Sequence, residues 1–132
     1  MKGKVLQPPG WKRPRGYANG ISAKGHMLFV SGMVGWDAHE KMVSGGFVAQ
    51  ARQALQNIAA ILAEDGARPE HIVRMNWFVL DKDEYLGAYK ELGVAYREIM
   101  GTHYPAMTAV EVAGLLEEGA RVEIEATAVV PE

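Results

Sequence analysis

Side-chain character alternates at every second position in two segments near the end of the chain. In the first, residues 104–113, Thr108 and Val110 would point to one side while Met107 and Ala109 point to the other. Period-two alternation is typical of a β-strand whose two faces meet different surroundings. This segment is therefore predicted to be a strand with two distinct faces.

The second alternating segment, residues 122–130, repeats polar residues on one face. Glu123, Glu125 and Thr127 share that face, and small or branched apolar residues share the other. Carboxylates are rarely buried without a partner. This face of the strand is therefore either exposed to water or forms the wall of a site.

Apolar residues at spacings of three and four predict a helix over residues 47–64. The stripe consists of Phe47, Ala51, Leu55, Ile58 and Leu62. Gly66 follows the helix and gives a stop signal. A second helix is predicted to begin after Asp81 or Asp83, either of which can cap it, and to run to about Met100.

Residues 72–80 predict a long strand that is apolar on both sides and therefore lies in the middle of a sheet. Together with strands predicted at 17–21 and 27–32, the order along the chain is strands, helix, strand, helix, strands. This order predicts an α+β fold, a two-layer sandwich of one mostly antiparallel sheet with both helices on one face. We expect Val73, Met75 and Trp77 on the uncovered face, where apolar residues would favour association.

Length and composition describe one ordinary globular domain, with 132 residues of which 48% are apolar and 23% charged,. Residues 1–14, which contain three prolines, are assigned to an N-terminal arm, and residues 15–132 to a single domain. The net charge of −2 argues against a nucleic acid as the main partner,. No apolar run approaches the ~20 residues that cross a bilayer, so no membrane partner is predicted and a cytoplasmic location is expected.

Few types of chemistry are indicated by motifs in the sequence. The chain has no cysteine, which excludes a disulfide framework and a thiol nucleophile,. Its four histidines show no metal-ligand spacing, and there is no glycine-rich phosphate loop,. The sequence therefore predicts neither a metal nor a cofactor.

Several separated motifs resemble the reactive-intermediate deaminase (Rid, or YjgF-like) family. They are YPAMTAVEVAGL from Tyr104 and VEIEATAVV from Val122, preceded by GYANGI, HMLFVSGMVG and GGFVAQARQALQNIAAIL. They occur in the family's order and cover residues 16–130. The resemblance implies a chorismate-mutase-like fold and a homotrimer whose sheets wrap into a shared barrel, with ligand clefts between neighbouring subunits.

The resemblance also implies where a small-molecule site would lie. Glu125 matches the family's water-orienting glutamate, Tyr17 a tyrosine at the cleft mouth, and Ser31 a serine that can bind a ligand. Each residue also has an ordinary structural interpretation. Glu125 would be a solvated or inter-subunit carboxylate, Tyr17 a strand tyrosine with its hydroxyl in water, and Ser31 a strand-end serine that bonds local backbone.

Met107 stands where characterised deaminases of this family carry an arginine, and Ala109 stands where relatives often have cysteine. In the family reaction the arginine binds the carboxylate of a 2-imino or 2-enamino acid while water attacks the imine carbon. Arginine pairs with a carboxylate through two parallel hydrogen bonds, whereas methionine offers no donor. Arg15, Arg74 or Lys90 could supply a replacement cation, although such charges are more often solvated.

Two functions therefore remain open from the sequence. The first is an enzyme that hydrolyses an imine, an enamine or a related metabolite, without being an efficient 2-imino acid deaminase. The second is a non-catalytic trimer that binds or senses a ligand in the same clefts. A third function, RNA cleavage, is disfavoured because the chain lacks a basic stripe and aromatic side chains for base stacking on a positive face.

Overall fold

The computed structural model describes residues 3–132, and its centre is a four-stranded mixed sheet. The strand order is β3–β6–β4–β5, in which the β4–β5 pair is parallel and the other two pairs are antiparallel. The strands are β3 (His26–Met33), β4 (Ile72–Val79), β5 (Ala106–Glu111) and β6 (Val122–Val130). The predicted α+β sandwich with a mostly antiparallel sheet is confirmed, and residues 72–79 do lie inside the sheet.

A separate two-stranded antiparallel pair joins the start of the chain to the segment before β3. It consists of β1 (Lys4–Leu6) and β2 (Gly20–Ser22). Between them, Ala18 bridges Ala106 in parallel, and its amide donates to the carbonyl of Pro105 at 3.0 Å. These contacts fix residues 15–18 along the outer edge of β5.

The first long helix, α1 (Gly46–Ala63), packs its predicted stripe against the sheet. All five stripe residues from Phe47 to Leu62 are buried, as expected for an amphipathic helix with one face on a core,. Gln50 is the buried polar exception on this helix. Its side-chain amide donates to the carbonyl of Gly119 at 3.0 Å, and its oxygen accepts from the amide of Arg121 at 2.8 Å. These bonds hold the loop before β6 on the helix.

The second helical region consists of two pieces, α2 (Lys82–Gly87) and α3 (Tyr89–Met100), divided at Ala88. Asp81 caps α2 by accepting from the amides of Asp83 and Glu84 at 2.9 and 3.2 Å. That cap satisfies donors that a helix start leaves unpaired. The predicted cap is confirmed, but the sequence does not indicate the break.

The expectation for the uncovered sheet face is wrong for Met75 and Trp77. Both side chains are buried in the core between the sheet and the helices. Neighbouring strand residues point to opposite faces, so Arg74, Asn76 and Phe78 lie on the uncovered face instead. The alternation in β4 correctly groups Met75 with Trp77, but the face that the helices cover is decided by packing from distant parts of the chain.

Candidate functional site

A pocket of about 590 Å³ opens on the helix side of the sheet, beside the edge strand β5. Met107 and Ala109 of β5 form part of its wall, and in register they neighbour Met75 and Trp77 of β4. One face of α3 supplies further wall residues, which lie three and four positions apart along the helix,. The segment that Ala18 ties to β5 closes the remaining side. The pocket is therefore assembled from one strand edge, one helix face and one fixed segment.

Aromatic side chains dominate this pocket. All five tyrosines of the chain line it, together with Trp77. They are Tyr17, Tyr85, Tyr89, Tyr96 and Tyr104. Tyr96 and Tyr104 stack with ring centroids 5.3 Å apart and planes 6° from parallel, while Trp77 meets Tyr85 edge-on at 6.3 Å. These contacts set a rigid aromatic wall.

The buried tyrosine hydroxyls remain hydrogen-bond donors over the neutral range. Burial raises the pKa of Tyr96 strongly, since desolvation disfavours the phenolate, and Tyr104 adds a smaller effect in the same direction,. Burial raises the pKa of Tyr85 as well. The hydroxyl of Tyr96 donates to the carbonyl of His103 at 2.8 Å. This bond ties α3 to the turn that precedes β5.

The charges on the pocket are all positive. Arg15, Lys90 and Arg97 line it, whereas none of the chain's 16 carboxylate residues does. The side chains of these three cations make no ion pair or hydrogen bond with other described residues. A pocket with unpaired cations and no acid favours an anionic ligand.

Trp77 contributes the one buried side-chain polar atom without a partner in the described part of the chain, its indole nitrogen Nε1. The side chain is 3% exposed. Ala109 stands directly beside it across the β4–β5 pair, where a larger side chain would occupy the space next to the indole. Buried tryptophan N–H groups usually find an acceptor, so an unpartnered one in a pocket wall requires explanation.

Glu125 lies on the other face of the sheet. It pairs in register with Asn76, whose amide donates to the Oε2 atom of Glu125 at 2.9 Å. The two residues line a shallow depression of about 190 Å³ together with Phe29, Arg74 and Thr127. The second carboxylate oxygen of Glu125 has no partner among the described residues. It therefore remains available to a water or a ligand.

Ser31 lies on the Glu125 side of the structure, at an irregularity of the sheet edge. Val30 pairs with Ala126 and Met33 with Ile124, so β3 has an extra residue opposite Glu125. Ser31 is exposed at this β-bulge and follows Val30, which lines the depression,. Bulges at sheet edges often redirect side chains near sites.

Glu123 is a carboxylate on this face that the sequence analysis did not single out. Its Oε2 atom occupies the space where a side chain on Gly32 would lie, so the glycine leaves room for the acid. The carboxylate of Glu123 forms no hydrogen bond or ion pair within residues 3–132. Its position next to Glu125 in the alternating pattern was a usable signal, since both share one face.

The predicted site residues thus fall into two groups within one protomer. Tyr17, Met107 and Ala109 share the aromatic pocket, while Ser31 and Glu125 share the opposite face. Among the suggested replacement cations, Arg15 and Lys90 line the pocket, and Arg74 lies on the Glu125 side. Sequence reasoning missed Arg97, because a charge near the end of a helix is normally solvated.

Metal binding and membrane insertion have no structural indication in the described chain. Within residues 3–132, no group of three or more His, Cys, Asp or Glu side chains is arranged to hold a metal ion. None of the helices in this range combines the length and apolarity needed to cross a bilayer.

The fold is a small α+β domain with an aromatic-lined pocket beside its sheet. Residues 12–130 match the family model described as Endoribonuclease L-PSP, and the chain belongs to that family. This is the Rid or YjgF group that the motifs indicated, and the resemblance is confirmed.

Relatives and solved structures agree with this assignment. The RutC family protein PM1466 of Pasteurella multocida is 35% identical over 105 residues, covering 80% of this chain and 81% of the relative. The 2-iminobutanoate/2-iminopropanoate deaminase of Homo sapiens is 31% identical over 103 residues, covering 77% and 72%. The crystal structure of YyfB from Yersinia pestis, a protein of unknown function of the conserved Rid family, has a TM-score of 0.85 and 29% identity, covering 98% of this chain and 100% of that one.

Proposed function

We propose that the protein hydrolyses an imine, an enamine or a related small metabolite in clefts shared between the subunits of a homotrimer. It would be inefficient towards short 2-imino acids because Met107 replaces the carboxylate-binding arginine. One observation carries the proposal. The aromatic pocket contains no acid, while Glu125 lies on the opposite face of the same sheet, with Ser31 at the irregularity of β3 next to it. A complete site then requires a second copy of the chain.

The uncovered sheet face supports association of several copies. Phe29 is 74% exposed there, and Met27 of the same strand is more than half exposed. Val110 of β5 adds a further exposed apolar side chain. Large exposed apolar side chains grouped on one strand, as Met27 and Phe29 are on β3, favour an interaction site,. A closed trimer would cover it and place the Glu125 face of one subunit near the pocket of the next.

The proposed chemistry requires little from the protein. Water adds to the electrophilic imine carbon and gives a carbinolamine, whose nitrogen takes up a proton and leaves as ammonia while the carbonyl forms. Glu125 would accept the proton from the attacking water through its unpartnered oxygen, and the Asn76 amide would fix the carboxylate,. Glu123 is the alternative carboxylate for this role. Placing the water and the imine together supplies most of the remaining rate enhancement.

The methionine at position 107 sets the limit of this activity. An arginine there would add a charge-assisted hydrogen bond worth ~1.5–3 kcal/mol to a bound carboxylate. Its loss weakens binding of a short 2-imino acid by roughly ten- to a hundred-fold. Met107 remains partly buried in the pocket wall and provides an apolar surface instead.

The test uses 2-iminopropionate and 2-iminobutyrate generated in solution by an amino acid oxidase. Release of the 2-keto acid is measured with the wild type, Met107→Arg and the size-matched control Met107→Leu. We expect slow turnover by the wild type, a gain in Met107→Arg and no gain in Met107→Leu. If Met107→Arg stays inactive although it folds and binds the keto acid, the scaffold does not catalyse this reaction.

The alternative is a ligand-binding trimer without catalysis, and the acid-free pocket of the protomer favours it. Substituting Glu125→Gln and Glu123→Gln in the Met107→Arg background separates the two functions. Loss of keto-acid release in either variant, with ligand binding retained, supports hydrolysis. Binding without turnover in every variant, including the parent, supports the non-catalytic function.

A further inference from the structure

The distribution of tyrosines shows that the pocket is unlike the rest of the chain. All five tyrosines line this one cavity, where they are joined by Trp77. Aromatic side chains are distributed widely in an ordinary core, whereas here the buried core outside the pocket is mostly aliphatic, with Phe47 as its aromatic member. Aromatic walls recognise flat rings by offset stacking and edge contacts. The wall composition therefore favours a planar aromatic group over an alkyl chain.

The dimensions of the pocket suit such a group. Its volume of about 590 Å³ falls within the range of small-molecule sites,. Ala109 and Gly93 contribute almost no side-chain bulk to the wall, and each leaves space beside a larger neighbour. The small side chain of Ala109 leaves the region next to Trp77 open. Gly93 lies under the guanidinium of Arg97, and a Cβ atom added at Gly93 would be 3.2 Å from the Nη1 atom of Arg97. A ring of benzene to indole size fits between these walls.

The charges specify a second part of the ligand. Arg15, Lys90 and Arg97 line the pocket without a carboxylate among the lining residues. These three cations form no ion pair with any residue in the range 3–132. A carboxylate on a short side chain of the ring would reach them, and it would replace the contact that position 107 no longer makes. Trp77 lines the same pocket, and its buried indole N–H is a donor without a partner in the described part of the chain.

We infer that this pocket binds an aromatic carboxylate, a benzene- or indole-sized ring with an anionic group on a short side chain. Aromatic walls hold the ring, and Arg15, Lys90 or Arg97 holds the carboxylate. The inference rests on the proposed function in one respect, since it names the substrate class of that site: an aromatic imino or enamino acid rather than a short aliphatic one. Binding itself does not depend on turnover.

Calorimetric titration of the full-length protein tests this ligand class with defined probes. Indole-3-acetate and phenylacetate carry both ring and carboxylate, cyclohexylacetate keeps the carboxylate without an aromatic ring, and indole-3-ethanol keeps the ring without the charge. We expect the aromatic acids to bind roughly two- to ten-fold more tightly than cyclohexylacetate. We expect indole-3-acetate to bind roughly ten- to a hundred-fold more tightly than indole-3-ethanol.

Variants then locate the two contacts. Arg15→Gln, Lys90→Gln and Arg97→Gln each remove one pocket cation, and Lys82→Gln is the matched control because Lys82 is exposed on α2 outside the pocket. At least one of the three should reduce affinity for indole-3-acetate about ten-fold, a change typical of a lost charged hydrogen bond, while leaving indole-3-ethanol unaffected. Tyr89→Leu, at a half-exposed position, should reduce the preference for phenylacetate over cyclohexylacetate.

The outcomes separate this inference from the proposed function. Equal affinity for phenylacetate and cyclohexylacetate, equal affinity for the charged and neutral indoles, or no binding at millimolar concentration overturns the inference. Turnover of short imino acids together with any of these results would leave the hydrolase proposal intact. Selective binding of the aromatic acids, together with no keto-acid release from any imino acid, would support the inference and refute hydrolysis.

Discussion

Met107 and Glu125 lie one register position apart in the sheet but on opposite faces of it. Met107 pairs with Met75 of β4, and Glu125 pairs with the next residue, Asn76. Successive residues of a strand point to opposite sides. The two residues that the sequence assigned to one site are therefore separated by the sheet itself within a protomer.

A mixing experiment tests whether a neighbouring subunit joins the two faces. Ala109→Trp fills the pocket and Glu125→Gln removes the acid, so each variant alone should be inactive towards a substrate that the parent turns over. In trimers formed from equal amounts of both chains, about a quarter of the clefts would combine an open pocket with an intact acid. Activity of the mixture should recover to that fraction.

Each variant, denatured and refolded alone, is the control for this experiment. A mixture that stays inactive, although mass spectrometry shows mixed trimers, would place the whole site within one subunit. Full activity of Glu125→Gln alone would remove Glu125 from the mechanism.

Exposed Phe29 on the uncovered sheet face gives a direct test of assembly. Phe29→Glu places a charge where the trimer would bury an aromatic ring, and burying a phenylalanine contributes ~1.5–3 kcal/mol per subunit. We expect the variant to dissociate into folded monomers, measured by sedimentation velocity. Leu116→Glu is the control, because Leu116 is a fully exposed apolar residue in the loop before β6. A monomeric wild type, or a Phe29→Glu trimer as stable as the wild type, contradicts the shared cleft.

Buried Gln50 connects α1 to the loop before β6 through two hydrogen bonds, to Gly119 and Arg121. Gln50→Leu would remove both hydrogen bonds and leave the carbonyl of Gly119 and the amide of Arg121 without these partners, and the expected loss in the free energy of unfolding is about 2 kcal/mol,. Urea unfolding at fixed protein concentration measures it. Gln56→Leu, an exposed position on the same helix, should change stability by less than ~0.5 kcal/mol. Equal effects of the two substitutions would mean that the loop does not depend on Gln50.

The contribution of Tyr96 to the free energy of unfolding should decrease at alkaline pH. Its folded-state pKa is raised by burial above the ordinary value of about 10,. The neutral form therefore favours folding, so this contribution is complete below pH ~10 and is lost as pH rises towards the folded-state pKa. Tyr96→Phe should cost about 1 kcal/mol at neutral pH through the lost bond to His103.

Above pH ~10 the wild type should lose stability faster than Tyr96→Phe, because the variant has no phenol to ionise at this position. Thermal unfolding between pH 8 and 11 measures both effects. Tyr89→Phe, at a half-exposed position on the same helix, serves as the control. A pH dependence identical in the wild type and Tyr96→Phe would assign the alkaline loss to other groups, with Tyr85 the first to test.

The fold could be predicted largely because two periodic patterns were unambiguous. The stripe from Phe47 to Leu62 has one apolar face, and burial follows it. The alternation in β6 likewise places Glu123 and Glu125 on one face. The side that Trp77 faces was predicted wrongly, because the contacts that decide which face of β4 is covered come from distant helices.

The candidate site was predictable in part, and for different reasons. The resemblance to a family pointed to Tyr17, Ser31, Met107, Ala109 and Glu125, but it could not show that they lie on two faces of one protomer. Tyr89 and Tyr96 lie within the second predicted helix, and no sequence motif marks them as site residues. Their role as pocket walls emerges only when β5 and the segment around Arg15 are placed beside α3, which no local pattern specifies.

The gathering of every tyrosine around Trp77 gives the protein a built-in optical signal. Light absorbed by these phenol rings can pass to the indole at 6.3 Å from Tyr85, so the emission of Trp77 reports on the cavity from several directions at once. A compound entering between the rings would change that emission, whereas Trp11 and Trp36, which do not line the pocket, would contribute a constant background. Replacing both by phenylalanine would thus allow candidate metabolites to be screened by intrinsic fluorescence, without a label and before any reaction is known.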